Sequence, residues 1–110
     1  MDYNFVLMME DAFTVTRKSR VADGTGGYTK SEVPVTMNNA YGRLDDEGYS
    51  EVLRVGQDMV YITHRLFTFP GEDIQRDDKV TVKGRTLRVI YIRTEYEDHP
   101  MEVLCQEIDP

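Results

Sequence analysis

The sequence has no tryptophan, one cysteine and two histidines in 110 residues. A single cysteine excludes an intrachain disulfide, so the fold must be held by packing and hydrogen bonds; synthesis in a cytoplasm is the expectation. Cys105 lies in a strand-like stretch and is expected as a small buried apolar side chain rather than a reactive thiol. His64, His99 and Cys105 lack the close spacing of zinc ligands, so neither a metal nor a cofactor is expected. His64 alternates with apolar neighbours, which fits a hydrogen-bonded core or interface histidine. Basic residues are also scarce: 13 Lys and Arg face 20 Asp and Glu, for a formal net charge of −7. That balance argues against non-specific affinity for nucleic acid, which needs cations to displace counterions from phosphates. Long apolar runs are missing too. Phe5 to Met9 is one short run flanked by acids, without the basic start and length of a signal peptide, and nothing approaches the ~20 apolar residues of a membrane span.

What is present is a series of strand patterns in a chain of one-domain size. In residues 12–20, Phe13 and Val15 point one way and Thr14 and Thr16 the other, a strand with one wet face. Asp23-Gly24 and Gly26-Gly27 predict a turn. Val33, Val35 and Met37 then share a face, and Pro34, which lacks an amide proton, puts this strand at an edge or its proline at a bulge. Residues 58–69 carry apolar groups on both faces, with Val60, Ile62, His64 and Leu66 on one, so this strand is expected to be central. Val80 and Val82 lead into a tight turn at Lys83-Gly84, answered by Leu87, Val89 and Tyr91. Val103, Leu104, Cys105 and Ile108 form a last strand. Five to six short strands in so small a chain predict an all-β fold, a small antiparallel β-barrel of SH3-like or OB-like size. Residues 1–11 precede this domain and suit either a short helix or an arm packed on a neighbouring subunit. Residues 12–110 form the single domain, with a long central loop over 40–57 that shows no alternation.

No catalytic constellation emerges. The acids gather as Asp45-Asp46-Glu47, Glu72-Asp73, Asp77-Asp78 and Glu95/Glu97/Asp98, all in expected loops or turns, and read as solvated carboxylates rather than an acid–base pair in an apolar pocket. The glycine-rich Asp23–Gly27 stretch lacks the GK[ST] of a phosphate loop. An enzyme is therefore not expected. Arg17, Lys18 and Arg20 form the one basic run, expected at a solvated strand end or in an ion pair with an acidic surface of another copy.

Four stretches taken together are familiar: "FTVTRKSRVADGTGGY", "YGRL", "VYITHRLFTFPGEDIQRDDKVTVKGRTLRVIYI" and "MEVLCQEI". In this order and spacing, over about residues 12–108, they resemble the head–tail joining proteins of long-tailed bacteriophages, the head-closure or stopper family. The resemblance implies a structural virion protein of the neck, made in the host cytoplasm. It implies a homo-oligomeric ring of about twelve subunits, docked on the portal and adaptor on the head side and on the tail terminator on the other. Packaged DNA would pass through the lumen without specific binding and without any membrane contact. The family's loop between the second and third strands reaches into the channel and helps retain the DNA. Here it maps onto residues 40–57, with Tyr41, Gly42, Arg43, Leu44, Asp45, Asp46, Glu47, Gly48, Tyr49, Glu51 and Arg54 as the channel and gating residues. Gly42, Gly48 and Gly56 would let it bend, and its acidic balance would keep the duplex from sticking.

Subunit or partner contacts are expected from the N-terminal arm (Phe5, Leu7, Met8) and the Pro34 edge strand (Val33, Pro34), because an unpaired edge invites strand addition. Phe67 and Phe69 either face a partner or plug the end of the barrel. The alternative from another class is a monomeric SH3-like or OB-like barrel that binds a peptide or nucleic acid.

Overall fold

Apolar and polar residues alternate along most of the chain, and the backbone responds with strands. The structure, a computed structural model, describes residues 9–22, 24–56, 58–94 and 99–108, and of Val21, residues 46–55 and Asp58 the backbone alone. Seven strands follow in order: β1 (Asp11–Ala22), β2 (Tyr28–Val35), β3 (Tyr41–Val55), β4 (Asp58–Thr68), β5 (Lys79–Val82), β6 (Arg85–Arg93) and β7 (Met101–Glu107). All pairings are antiparallel, in one sheet of order β2-β1-β3-β4-β7-β6-β5. A further pairing of β1 with β5, Phe13 opposite Val82 and Val15 opposite Val80, turns the sheet back on itself. The result is the expected all-β, barrel-like fold. No helix occurs among the described residues.

Inward residues of β1, β4, β5, β6 and β7 fill the barrel. Phe13, Val15, Leu66, Val80, Val82, Leu87, Val89, Met101, Val103 and Cys105 pack with Ile74 in one buried cluster, and Val35, Met37, Leu44 and Ile92 lean against it. Two details depart from simple alternation. A register irregularity between Val89 and Tyr91 buries Ile90 and turns Tyr91 outward, so Tyr91 does not continue the Leu87/Val89 face. β2 ends at Val35, so Met37 packs on the core from beyond the strand, while Val33 stays exposed. The edge position expected of the Pro34 strand is observed: among the described residues β2 pairs with β1 alone.

The larger departure is the seventh strand. Residues 41–55, expected within a central loop, form β3 and pair with β4 from Gly42 opposite Thr68 to Val55 opposite Asp58. The pattern hid this because β4 leaves the barrel: it pairs with β7 only from His64 to Thr68. Beyond that point the β3–β4 hairpin is a two-stranded ribbon with no sheet neighbour among the described residues, and β3 need not alternate there. The ribbon's register slips between Asp46 and Glu51, the kind of irregularity that bends a strand pair. A second ribbon forms where β1 runs past Thr16, its last pairing with β5, and continues with β2 alone from Arg17 opposite Val33 to Ala22 opposite Tyr28. Two projections fit the molecular extents of 52 × 31 × 26 Å and the radius of gyration of 15.2 Å, against about 13 Å for a compact domain of this length. Of the N-terminal arm, Phe5, Leu7 and Met8 lie outside the described residues, Met9 is buried, and Asp11 already opens β1.

Candidate functional site

The β3–β4 ribbon carries all the residues expected to line a channel. At its root, Tyr41 is exposed, Leu44 is half-buried, and its amide donates to Asp11 Oδ2 at 2.9 Å. Arg43 Nε donates to Asp45 Oδ1 at 3.0 Å. Asp46, Glu47, Gly48, Tyr49, Glu51 and Arg54 follow along the strand backbone. Gly42 does not serve as the expected bend. It is buried, and a Cβ there would lie 2.5 Å from the carbonyl oxygen of Phe67 and 3.1 Å from Leu66 Cδ1. Glycine is required because β3 and β4 approach so closely where β1 crosses them.

The ribbon is fastened to the barrel. Ile62 of β4 packs with Ile90 and Leu104 in a second buried cluster, with Val60 beside it. Leu104 leaves β7 on the face opposite Val103 and Cys105, which point into the barrel. This cluster therefore sits on the other side of the sheet and holds the ribbon's base. Thr63 Oγ1 accepts from the Glu107 amide at 2.7 Å and shares a 2.9 Å hydrogen bond with Nδ1 of buried His64. Arg65 Nη1 donates to Glu102 Oε1 at 2.6 Å. Further out, Met59 and Tyr61 are 59% and 58% exposed, an apolar surface on the projecting part.

The expected partner contacts are spread over the molecule. Val33 and Pro34 are exposed on the β2 edge, whereas Phe67 and Phe69 are half-buried beside the crossing at Gly42. At the other ribbon's tip Tyr28 is exposed, with the Arg20 guanidinium 5.7 Å from the centre of its ring.

In two acid pairs that read as solvated, one member, Glu72 and Asp78, is a buried anchor, while Asp73 and Asp77 are exposed as expected. Asp78 is 1% exposed and accepts from Arg17 Nε and Nη2, each at 2.9 Å, and from the Gln75 amide at 2.7 Å. Arg17 Nη2 also reaches Asp73 Oδ1 at 3.2 Å. The guanidinium is held above its ordinary range by these hydrogen bonds, Asp78 first and Asp73 second. Arg17 therefore finds its acidic partner within the chain, not on another copy. Glu72, also buried, accepts from the Asn38 amide at 2.9 Å and the Asn39 amide at 2.6 Å. Together these carboxylates tie residues 70–78 to β1 and to the β2–β3 connection. The missed signal was Arg17 itself, a cation on the inward Phe13/Val15 face that demanded a buried partner.

Cys105 is buried, and that burial pushes its thiol up to about 12, so it stays a neutral packing group at physiological pH. His99 is exposed.

No protein-family model matches the chain, and no curated protein matches it. Solved structures do. Protein SF1141 from Shigella flexneri 2a is 17% identical and superposes with a TM-score of 0.68 over 97% of this chain and 96% of its own. The phage-like element PBSX protein XkdH from Bacillus subtilis is 11% identical, with a TM-score of 0.51 over 88% of this chain and 92% of its own. The chain shares their fold. Both superpositions span most of each partner, so the likeness takes in the domain as a whole rather than a barrel fragment.

Proposed function

We propose that the chain is a head-closure (stopper) protein of a phage neck: a ring-forming virion protein that joins portal and adaptor to the tail and retains packaged DNA. The observation that carries this reading is the β3–β4 ribbon. It leaves the barrel as a hairpin fastened at its base by Ile62, Ile90 and Leu104, and its sequence is acidic, with Asp45, Asp46, Glu47, Glu51 and Asp58 against Arg43 and Arg54. A stiff acidic projection repeated around a ring would narrow the lumen without gripping the duplex. The sequence resemblance over residues 12–108 supports the reading, as does a structural neighbour from a phage-like element. In this role the ribbon points into the channel, and the Pro34 edge and the N-terminal residues meet neighbouring subunits.

The test is removal of the gene from the phage, followed by negative-stain electron microscopy of the lysate. The expected result is tailless heads, many emptied of DNA, beside finished free tails. Intact tailed particles would overturn the assignment and leave a free-standing binding barrel as the reading to pursue.

A further inference from the structure

The strand registers identify the backbone groups on the open edge of β2. β2 and β5 both pair with Val15 and Thr16, so they lie on opposite edges of β1. Phe13, which stands opposite Val82 of β5, donates its amide to the Ala40 carbonyl at 3.0 Å, away from β5. Backbone groups alternate along a strand, so the odd residues of β1 turn theirs to the β2 side. Their partners Val33, Ser31 and Thr29 therefore bond to β1, while Tyr28, Lys30 and Glu32 turn amides and carbonyls to the open edge. Pro34 falls on the same open side, where its missing amide costs no bond to β1. Among the described residues no strand pairs with this edge. A two-stranded ribbon is marginal in water, and here every β2 residue from Tyr28 to Pro34 is exposed; a third strand would steady it.

The two faces beside that edge differ in chemistry. Lys18, Arg20, Tyr28, Lys30 and Glu32 share one face, and Lys18 and Lys30 make no hydrogen bond or ion pair among the described residues. Ser19, Thr29, Ser31 and Val33 share the other, whose one cation, Arg17 at the base, is already held by Asp73 and Asp78. A second β2 is a poor occupant, because it would bring another Lys18, Arg20 and Lys30 to the same charged face. Residues 1–8, which lie outside the described residues, have the matching sequence: Tyr3, Phe5 and Leu7 alternate with Asp2 and Asn4, and there is no Lys or Arg. In an added strand the two sets fall on opposite faces, the apolar one beside Thr29, Ser31 and Val33, the polar one beside the cations.

This segment is too short for the edge of its own subunit. β1 and β3 run antiparallel from their pairing at Asp11 and Gly42, so the β1–β2 ribbon leaves the barrel at the end away from the β3–β4 ribbon. Residues 1–8 join the barrel at buried Met9, where β1 begins. From Asp11, β1 climbs about 17 Å to Thr16 before the ribbon starts, and the edge from Val33 to Tyr28 runs about as far again. Residues 1–8, fully extended, span at most about 28 Å. We propose that residues 1–8 of one copy add as a strand to the open β2 edge of a second copy. Donor and acceptor are different surfaces at opposite ends of the subunit, so the contact is head-to-tail and can close into a ring. The inference rests on the ring-forming reading above; it assigns two surfaces of that reading to each other and leaves the β3–β4 ribbon free for the lumen.

The test is sedimentation equilibrium on the full chain and two variants. The parent should self-associate. Lys30→Pro removes an amide from the open edge and, like Pro34, none from the pairing with β1; deletion of residues 2–8 removes the added strand. Each should weaken association by about tenfold or more, and circular dichroism should show both folded. Mixed in equal amounts, the two should form pairs and stop there, since one keeps the strand and the other keeps the edge. A parent that stays monomeric overturns the proposal. So does a mixture that stays monomeric, or a Lys30→Pro variant that associates as well as the parent. Cysteine trapping is the second arm. Phe5→Cys is combined in one chain with Thr29→Cys, Ser31→Cys or Val33→Cys, positions where the side chains of an added strand come closest. Cys105 is buried and takes no part. On oxidation one of the three combinations should give a ladder running past the dimer on a non-reducing gel, while Ser31→Cys alone stays monomeric. No ladder from any of them overturns the proposal, as do dimers from Ser31→Cys alone, which would mean that two β2 edges pair with each other. Failure here is distinguishable from failure of the head-closure assignment, since emptied heads in the deletion lysate do not depend on which surfaces form the contact.

Discussion

Two residues, Gly42 and Arg17, do more for this fold than their types announce. Gly42 lies where β1, β3 and β4 meet, with the Phe67 carbonyl in the space a Cβ would occupy. A backbone oxygen in a paired strand has little room to retreat. Gly42→Ala should therefore cost about 1–3 kcal/mol, the range for forced overpacking, seen as a lower urea midpoint with an unchanged slope. A midpoint equal to that of the parent would mean that the strands part easily there. Arg17 is the counter-ion of a carboxylate with no access to water. Arg17→Met leaves Asp78 with the Gln75 amide as its remaining partner among those described. Breaking a buried pair from one side costs about 3–5 kcal/mol. The open flank of Arg17, whose side chain is 26% exposed, puts the expected loss near the bottom of that range. Asp78→Asn keeps the shape and two of the acceptor contacts, so it should lose less. Equal losses for the two variants would show that packing, not charge, holds residues 70–78.

At the scale of the element, the ribbon is as firm as its attachment. Leu104→Ala removes the side chain that the ribbon base sits on and should cost about 2–5 kcal/mol. Its particular mark is local. Amide protection in β3 beyond Asp46 and in β4 before His64 should fall further than in β5 and β6, because among the described residues the ribbon has no sheet neighbour to hold it once the cluster is lost. Val103→Ala, inside the barrel, is the comparison: it should lower protection everywhere together. The elements that were legible in the sequence are those whose two faces differ. β1 alternates because Phe13 and Val15 face the core while Thr14 and Thr16 face water, and the Lys83-Gly84 turn was legible because its geometry needs positive φ, found at 51° and 73°. β3 was not legible, because past Asp46 it pairs with β4 alone among the described residues, its sequence carries no period of two, and its charges read as loop. The flipped Tyr91 escaped because a bulge has no composition of its own. The buried Glu72 and Asp78 escaped because a carboxylate that caps backbone amides looks, in sequence, like one that faces solvent.

For the whole molecule the question is whether the register slip in the ribbon serves the neck. Between Asp46 and Glu51 the pairing with β4 slips, and removing three residues from that stretch would restore one continuous antiparallel register. Deletion of Glu47, Gly48 and Tyr49 should thus leave a regular hairpin. The ladder gains one pair, Ser50 opposite Thr63, and loses none, so stability should stay within about 0.5 kcal/mol of the parent, the range of changes away from cores and caps. The direction of the ribbon should change, because a bulge is what turns a strand pair out of its path. In the phage, rings and tails should still assemble from this variant if neighbours recognise each other through residues 1–8 and the β2 edge. The straightened hairpins would no longer meet in the lumen, and the fraction of DNA-filled heads, counted by electron microscopy before tails are added, should drop. Filled heads at the parental level would separate the two halves of the proposal: the chain would still join head to tail, but the β3–β4 ribbon would not be what holds the DNA.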